Sequence, residues 1–154
     1  MHDVRVATSY WGRNGVTLLE EVAGLLEELG LGDYNPPTGG DIFLGGMPAT
    51  TDAAVVLTRQ PGVESDSRLG YDEPVVLFRV RGTPNNATVA EARAQAIYDA
   101  IHGLANRRLP GGTWLVLGVG TQAGPIFAGR DTNARDEWSV AVRMELHRPT
   151  VNRS

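Results

Sequence analysis

Residues 137–147 (EWSVAVRMELH) alternate between polar and apolar side chains, and this alternation constrains the fold more than any other feature of the sequence. It is broken only by Ala141. Apolar side chains on every second residue are typical of a β-strand that buries one face. These residues must therefore belong to a sheet that has one side on a hydrophobic core and the other in water or against a partner. The apolar residues of this face are Trp138, Val140, Val142, Met144 and Leu146.

Further segments have the composition of strands. Residues 53–58 (AAVVLT) are apolar up to Thr58, which predicts a strand buried on both faces or nearly so. Residues 42–44 form a short apolar island among turn-forming residues and can pair only as an edge strand. The remaining predicted strands are residues 74–81, 113–119 and 125–129, and the short joins before and after the last of these favour antiparallel hairpins.

The connection from Gln60 to Glu73 (QPGVESDSRLGYDE) is long, polar and glycine-containing. Because a connection of this length inside a compact domain is usually functional or disordered, it stands out from the other loops. The flanking strands are predicted to form a hairpin whose extended tip projects beyond the body of the domain.

Two segments are predicted to be amphipathic helices. Thr17 and Glu20 form a capping box in front of a leucine-rich helix, and Gly30 supplies a left-handed end. Thr88 and Glu91 form a second capping box before an alanine-rich helix that runs to about residue 104. The first helix has an acidic face that should be a solvated surface, made of Glu20, Glu21, Glu27 and Glu28.

This order of elements predicts the α+β class. The expected architecture is a mostly antiparallel sheet of four to six strands, with two helices packed on one face and a long hairpin loop. Residues 1–154 should form a single domain with a flexible N-terminal lead and a flexible C-terminal tail at about residues 149–154.

Composition limits the functions that such a domain can have. The 154 residues include no cysteine, which excludes a disulfide framework and a thiolate zinc site. The formal net charge of -4 is the wrong sign for a protein that grips phosphates. No apolar run is long enough to cross a bilayer, and the first residues lack the apolar core of a signal peptide.

Motifs that carry chemistry are weak. Residues 118–123 (GVGTQA) match a loose dinucleotide fingerprint, but Gly124 and Pro125 follow where a helix should begin, so a tight hairpin is favoured. Residues 130–137 fail the pattern of a calcium loop and favour an Asx-rich turn. Three separated histidines, His2, His102 and His147, show no metal-ligand spacing. No catalytic residue, cofactor or metal is therefore predicted, and the chain is not expected to be an enzyme.

The chain resembles the tail terminator and minor capsid proteins of long-tailed, siphovirus-type bacteriophages. The chain and the family are similar in size, in the order of their elements and in the residue pattern of those elements over about residues 15–149. A leucine-rich helix is followed by a strand pair with a long loop (AAVVLTRQPGVESDSRLGYDEPVVLFRVRG) and by an alanine-rich helix (EARAQAIYDAIHGL). The resemblance continues through a segment reading LPGGTWLVLGVGTQAGPIFAGRD and ends with a last strand that closes in MELHR.

The resemblance implies a non-enzymatic virion protein that forms a homohexameric ring on the tail tube. Such a ring stops tube growth and offers a docking surface to the head-completion or connector proteins at the neck. The implied partners are copies of the chain itself, the tail tube protein and the connector, with genomic DNA passing through the lumen without specific binding. The implied location is the tail or neck of the virion, and the host cytoplasm during assembly.

A ring needs two dissimilar exposed surfaces on each subunit. The long loop from Gln60 to Glu73 is predicted to be one of these two surfaces. The candidate residues for contact with a neighbouring subunit or the tube are Glu64, Asp66, Arg68, Leu69, Tyr71, Asp72 and Glu73. Two alternatives stay open. One is a head–tail joining or capsid-associated subunit, and the other is a small cytoplasmic enzyme or ligand-binding domain that uses the Gly118 to Gly124 loop.

Overall fold

A computed structural model describes residues 16–35 and 39–154. The predicted N-terminal lead, with His2, lies outside these residues. The described residues form the helices α1 (Leu18–Glu28) and α2 (Val89–Ile101). Their strands are β1 (Tyr34–Asn35), β2 (Gly39–Gly40), β3 (Ile42–Leu44), β4 (Ala54–Gln60), β5 (Tyr71–Asp72), β6 (Val75–Pro84), β7 (Ala105–Arg108), β8 (Trp114–Gly120), β9 (Ile126–Arg130) and β10 (Arg135–His147).

Strand β10 is the centre of an eight-stranded sheet, and its alternating sequence gives it one apolar face, as predicted. On one side it pairs with β6 along residues 135–143 and with β5 at residues 146–147. On the other side it pairs with β9 at residues 136–139 and with β8 at residues 142–147. The main path through the sheet is β3-β4-β6-β10-β8-β7. All of these pairs are antiparallel except β3 with β4, so the sheet is mixed.

The hydrophobic core lies on one face of this sheet. The apolar face of β10 is buried apart from Trp138, which is half-buried, and the matching residues of β4 and β6 continue the same face. Both helices pack onto it, α1 over β3 and β4 and α2 over β6, β8 and β10. The α+β class and the placement of both helices on one face are therefore confirmed, although the strands outnumber the four to six predicted.

The hairpin of β4 and β6 is confirmed by a continuous antiparallel register from Ala54 opposite Arg81 to Gln60 opposite Val75. Four consecutive residues of β4 (Ala54 to Leu57) are fully buried, which confirms the prediction of a strand covered on both faces. The island at residues 42–44 pairs with β4 alone among the strands of the described residues, as expected of an edge strand.

The hairpin predicted at Gly118–Gly124 is wrong. Strands β8 and β9 are not paired with each other; both run antiparallel to β10, so they lie end to end along one side of it. The reason is length. At about 3.3 Å per residue, the thirteen residues of β10 span roughly 43 Å and accept two shorter strands in succession. The β9–β10 connection is a true hairpin, in which Asp131 Oδ1 accepts hydrogen bonds from the backbone N–H groups of Asn133 and Arg135.

Three local predictions about the helices also need correction. The capping box at Thr17 and Glu20 forms with both of its hydrogen bonds, but the hydroxyl of Thr88 caps no helical N–H group and donates to Asn86 instead. Helix α2 ends at Ile101, before the predicted end. Glu21 is buried rather than solvated, because the 109–113 turn covers the start of α1 and both the backbone N–H and the hydroxyl of Thr113 donate to its carboxylate.

Candidate assembly surface

The return from β4 to β5 is an exposed segment, residues 61–70, which we call the arm. All of its residues are exposed except Gly70, and the side chains of Val63 and Leu69 are 67% and 59% exposed. Asp66 shapes the arm by accepting hydrogen bonds from the backbone N–H groups of Arg68 (2.7 Å) and Leu69 (2.8 Å), which lower its pKa. The arm is therefore a shaped surface that carries apolar side chains into solvent.

Residues 148–154 fold into a turn against the arm. The guanidinium of Arg153 donates to the carbonyl oxygens of Leu69 (2.9 Å) and Tyr71 (3.0 Å) and to the carboxylate of Asp72 (2.7 Å). Backbone bonds from Arg148 to Gly70 and from Ser154 to Arg68 add to this contact. A Cβ atom at Gly70 would lie 2.9 Å from the backbone of Pro149, so only glycine permits this approach. The chain end thus holds the base of the arm.

The last three candidate residues are half-buried and bonded within the subunit. Burial raises the pKa of Asp72, but hydrogen bonds from Arg153 and Ser65 outweigh burial, so the net shift is downward. Burial first, and then a hydrogen bond with Glu73, raise the pKa of Tyr71 to about 12. Glu73 forms an ion pair with Arg143 of β10.

The seven candidate residues therefore divide into two groups. Glu64, Asp66, Arg68 and Leu69 are exposed on the arm and can reach another protein, whereas Tyr71, Asp72 and Glu73 fix the arm to the sheet. Sequence reasoning gave no role to Arg153, because a single arginine near the end of a polar tail carries no signal of its partner.

A second exposed apolar surface lies on β9, at the opposite end of β10 from the arm. The side chains of Ile126 and Phe127 are 45% and 53% exposed, and the ring of Phe127 meets Trp138 edge-on at a centroid distance of 5.5 Å. The indole Nε1 of Trp138 is buried without a hydrogen-bond partner in the described structure. Since β9 pairs with β10 alone, its other edge has no strand beside it among the described residues.

Two buried arginines hold the loop that leads into β4. Arg81 donates to the carbonyl oxygens of Pro48, Thr51 and Asp52, and its side chain is only 4% exposed. Arg135 lies beside it and binds Asp131 (2.8 Å) and Asp52 (3.0 Å). Burial first, and then the charge of Arg135, lower the pKa of Arg81. The two guanidinium groups act on loop backbone and on carboxylates, so this cluster is a structural one.

The glycines of the dinucleotide-like motif serve packing. A Cβ atom on Gly118 would lie 2.6 Å from the carbonyl oxygen of Ile101, and one on Gly120 would lie 2.4 Å from the ring of Tyr98. Both glycines therefore let the end of α2 approach β8 closely. The backbone N–H of Gly120 donates to His102 Nδ1, whose ring stacks on Tyr98. The next residues form a turn and then β9, so no helix N-terminus faces this loop.

Within residues 16–35 and 39–154, no three histidine or acidic side chains come together in a way that could hold a metal ion. None of the helices in this part of the chain is long and apolar enough to cross a membrane.

Comparison with known protein families gives a match over most of the chain. Residues 25–148 fit the family described as bacteriophage tail terminator protein. No curated protein matches the chain. Because the matched region covers far more than half of the sequence, the protein is a structural component of a bacteriophage tail. It belongs to the bacteriophage tail terminator family, which confirms the resemblance seen in the sequence.

Membership in this family indicates a location in the virion and implies contacts with other tail and head proteins. The family is a structural one, so its name favours a non-enzymatic role for the chain.

Proposed function

We propose that this chain forms a homohexameric ring that caps the tail tube, stops its growth and provides the docking surface for the head-completion or connector proteins. The family match supports the role of terminator. The observation that supports the ring is the presence of dissimilar exposed apolar surfaces on one chain, among them the arm and the β9 edge. A ring is a heterologous assembly, so each subunit must offer two different patches.

The arm is the surface proposed to reach a neighbouring subunit or the tube. Its exposed side chains combine Val63 and Leu69 with the charges of Glu64, Asp66 and Arg68, a mixture that suits a partly polar protein contact. Arg153 and Asp72 fix the base of the arm, so that less conformational freedom is lost when it binds. Contact through a fixed arm would give the ring a defined orientation on the tube.

Genomic DNA is proposed to pass through the lumen without specific binding. The net charge of each subunit is -4. On the sheet face opposite the helices, Arg79 lies 3.1 Å from Glu137 and Arg143 lies 3.3 Å from Glu73. Arginines that are paired with carboxylates attract phosphates weakly, so such a wall would not stall the DNA. A ring whose pore is lined mainly by unpaired arginine would contradict this proposal.

The double substitution Val63→Glu and Leu69→Glu tests the arm. Both side chains point into solvent, and the carbonyl of Leu69 that Arg153 uses is retained, so the subunit should fold as the wild type does. Ala105→Glu on β7 is the control, because it likewise places a carboxylate at an exposed position but lies on the sheet and away from the arm. Complementation of a phage that lacks this gene is scored by infectious titre and by tail length in electron micrographs.

We expect the arm variant to give unjoined or overlong tails and the control to give normal ones. Tails of normal length and infectivity from the arm variant would refute the role of the arm. The ring is tested separately by native mass measurement in solution and on purified tails. A particle of six times the 16.5 kDa chain mass is expected, and a monomer in both samples would refute the ring.

A further inference from the structure

The outer edges of β3 and β9 lie in the same row of residues. Across the sheet, the register aligns one residue from each of five strands in the order β3, β4, β6, β10 and β9. The two outer edges therefore lie at the same height, although the backbone of Asp33 lies beside Ile42, so the open part of the β3 edge begins after the Ile42 N–H group. The row is Ile42, Val55, Val80, Trp138 and Phe127.

The directions of these strands determine how two copies could meet. Strand β3 runs parallel to β4, and each further step to β6, β10 and β9 reverses direction. Strand β9 consequently runs opposite to β3. When the β9 edge of one copy is placed beside the β3 edge of the next, the two strands are antiparallel, as in most of the sheet within the subunit.

The backbone of β3 presents hydrogen-bonding groups to such a neighbour. Val55 donates to the carbonyl of Asp41, and Gly45 donates to the carbonyl of Leu57, so the backbone of residues 41 and 45 faces β4. By the alternation of a strand, the backbone of Ile42 and Leu44 faces the other way. The N–H of Ile42 donates to the carbonyl of Asp33. Among the hydrogen bonds of residues 16–35 and 39–154, none uses the Ile42 carbonyl or the Leu44 N–H, so these two groups can bind a neighbouring strand.

The side chains of the two edges also match by face. Phe127 stands on the helix-bearing face with Trp138, and Leu44 stands on that face through its pairing with Leu57. Ile126 pairs with Ser139 and stands on the opposite face, where Phe43 also stands through its pairing with Val56. Antiparallel pairing would thus bring apolar side chains together on both faces of the sheet and would cover the exposed Ile126 and Phe127.

We propose that β9 of one subunit pairs antiparallel with β3 of the next, so that one sheet continues from subunit to subunit around the ring. This inference rests on the proposed ring and names the edges that build it. A second copy fits better than another protein because the two edges occur on one chain, at one height, with opposite directions and matching apolar faces. An exposed apolar edge would otherwise invite uncontrolled association.

The absence of cysteine from the chain allows a direct test by cross-linking. The double variant Ile126→Cys with Phe43→Cys is treated with a short bifunctional maleimide, which tolerates an uncertain register. We expect a ladder of covalent oligomers that ends at the mass of the native ring. Each single-cysteine variant should stay monomeric on a denaturing gel, because the contact joins two different edges. The pair Ile126→Cys with Ala105→Cys, which offers β7 as the alternative edge, should give no ladder.

A charge substitution supplies a second measurement. Phe127→Glu places a carboxylate within the proposed contact and should shift the native mass from ring to monomer, whereas Thr132→Glu, in the neighbouring β9–β10 turn, should leave the ring intact. Two outcomes would overturn the edge pairing and leave the proposed function standing. One is a wild-type ring that gives no ladder from the Ile126 and Phe43 pair. The other is a Phe127→Glu variant that still forms the ring. A wild-type chain that is monomeric in solution and on tails overturns both.

Discussion

Replacing Arg81 with methionine tests whether a buried guanidinium holds the loop before β4. Arg81 shares the outer face of β6 with Arg79, two residues earlier, but its surroundings differ. Its side chain is 4% exposed and donates to three carbonyl oxygens of residues 48–52, whereas that of Arg79 is 38% exposed and forms one ion pair with Glu137. Arg79→Met is therefore a matched control on the same strand.

The expected loss follows from the hydrogen bonds that methionine cannot make. Each of the three contributes a net stabilisation of about 0.5–1.5 kcal/mol, so together they contribute about 1.5–4.5 kcal/mol. The substitution also relieves the repulsion between Arg81 and Arg135, but this gain is opposed by the lost attraction between Arg81 and Asp131. For a protein of this size such a loss lowers the melting temperature by roughly 3–18 °C. The exposed pair of Arg79 and Glu137 contributes about 0–1 kcal/mol.

Urea unfolding followed by circular dichroism measures both variants. We expect Arg81→Met to lower the free energy of unfolding by at least about 1.5 kcal/mol, with little change in the dependence on urea concentration. Arg79→Met should stay within about 1 kcal/mol of the wild type. Equal effects of the two substitutions would show that burial and the three carbonyl bonds of Arg81 do not matter to stability.

Two further predictions concern packing and pH. Gly118→Ala should lower the free energy of unfolding by about 1–3 kcal/mol, because its Cβ would meet the carbonyl of Ile101. Gly46→Ala, where the added Cβ would lie in open space, should change the free energy of unfolding by less than about 0.5 kcal/mol. Equal urea midpoints for the two variants would refute the close approach of α2. Arg153 holds the pKa of Asp72 below its ordinary value of 3.8. The free energy of unfolding of the wild type should therefore exceed that of Asp72→Asn by its full amount above about pH 5, and this difference should decline as the pH falls below about 4. A difference that does not depend on pH would contradict the role of Asp72.

The regular elements could be predicted from the sequence because their signals are local. The alternation of residues 137–147 predicted a strand with one buried face, and the mostly apolar run at residues 53–58 predicted a strand covered on both faces. The capping box at Thr17 and the left-handed Gly30 placed both ends of α1. In each case one face of one element determines the pattern, so a single sequence is sufficient.

The remaining features depend on partners that are distant in sequence. Strand β7 (ANRR) carries no apolar alternation, because it is an edge strand with exposed side chains. The burial of Glu21 depends on Thr113, and the fixed base of the arm depends on Arg153 binding Asp72. The candidate interface was therefore predicted as a segment, but its division into exposed and anchoring residues required the structure.

The position of β10 in the sequence has a consequence for biosynthesis. Strands β5, β6, β8 and β9 all precede it, and each depends on it as a neighbour in the sheet. The β4–β6 and β7–β8 pairs can form before β10 is synthesised, but the sheet is completed only when residues 135–147 are available. The β9 edge and the base of the arm, which both lie against β10, are therefore completed late in folding.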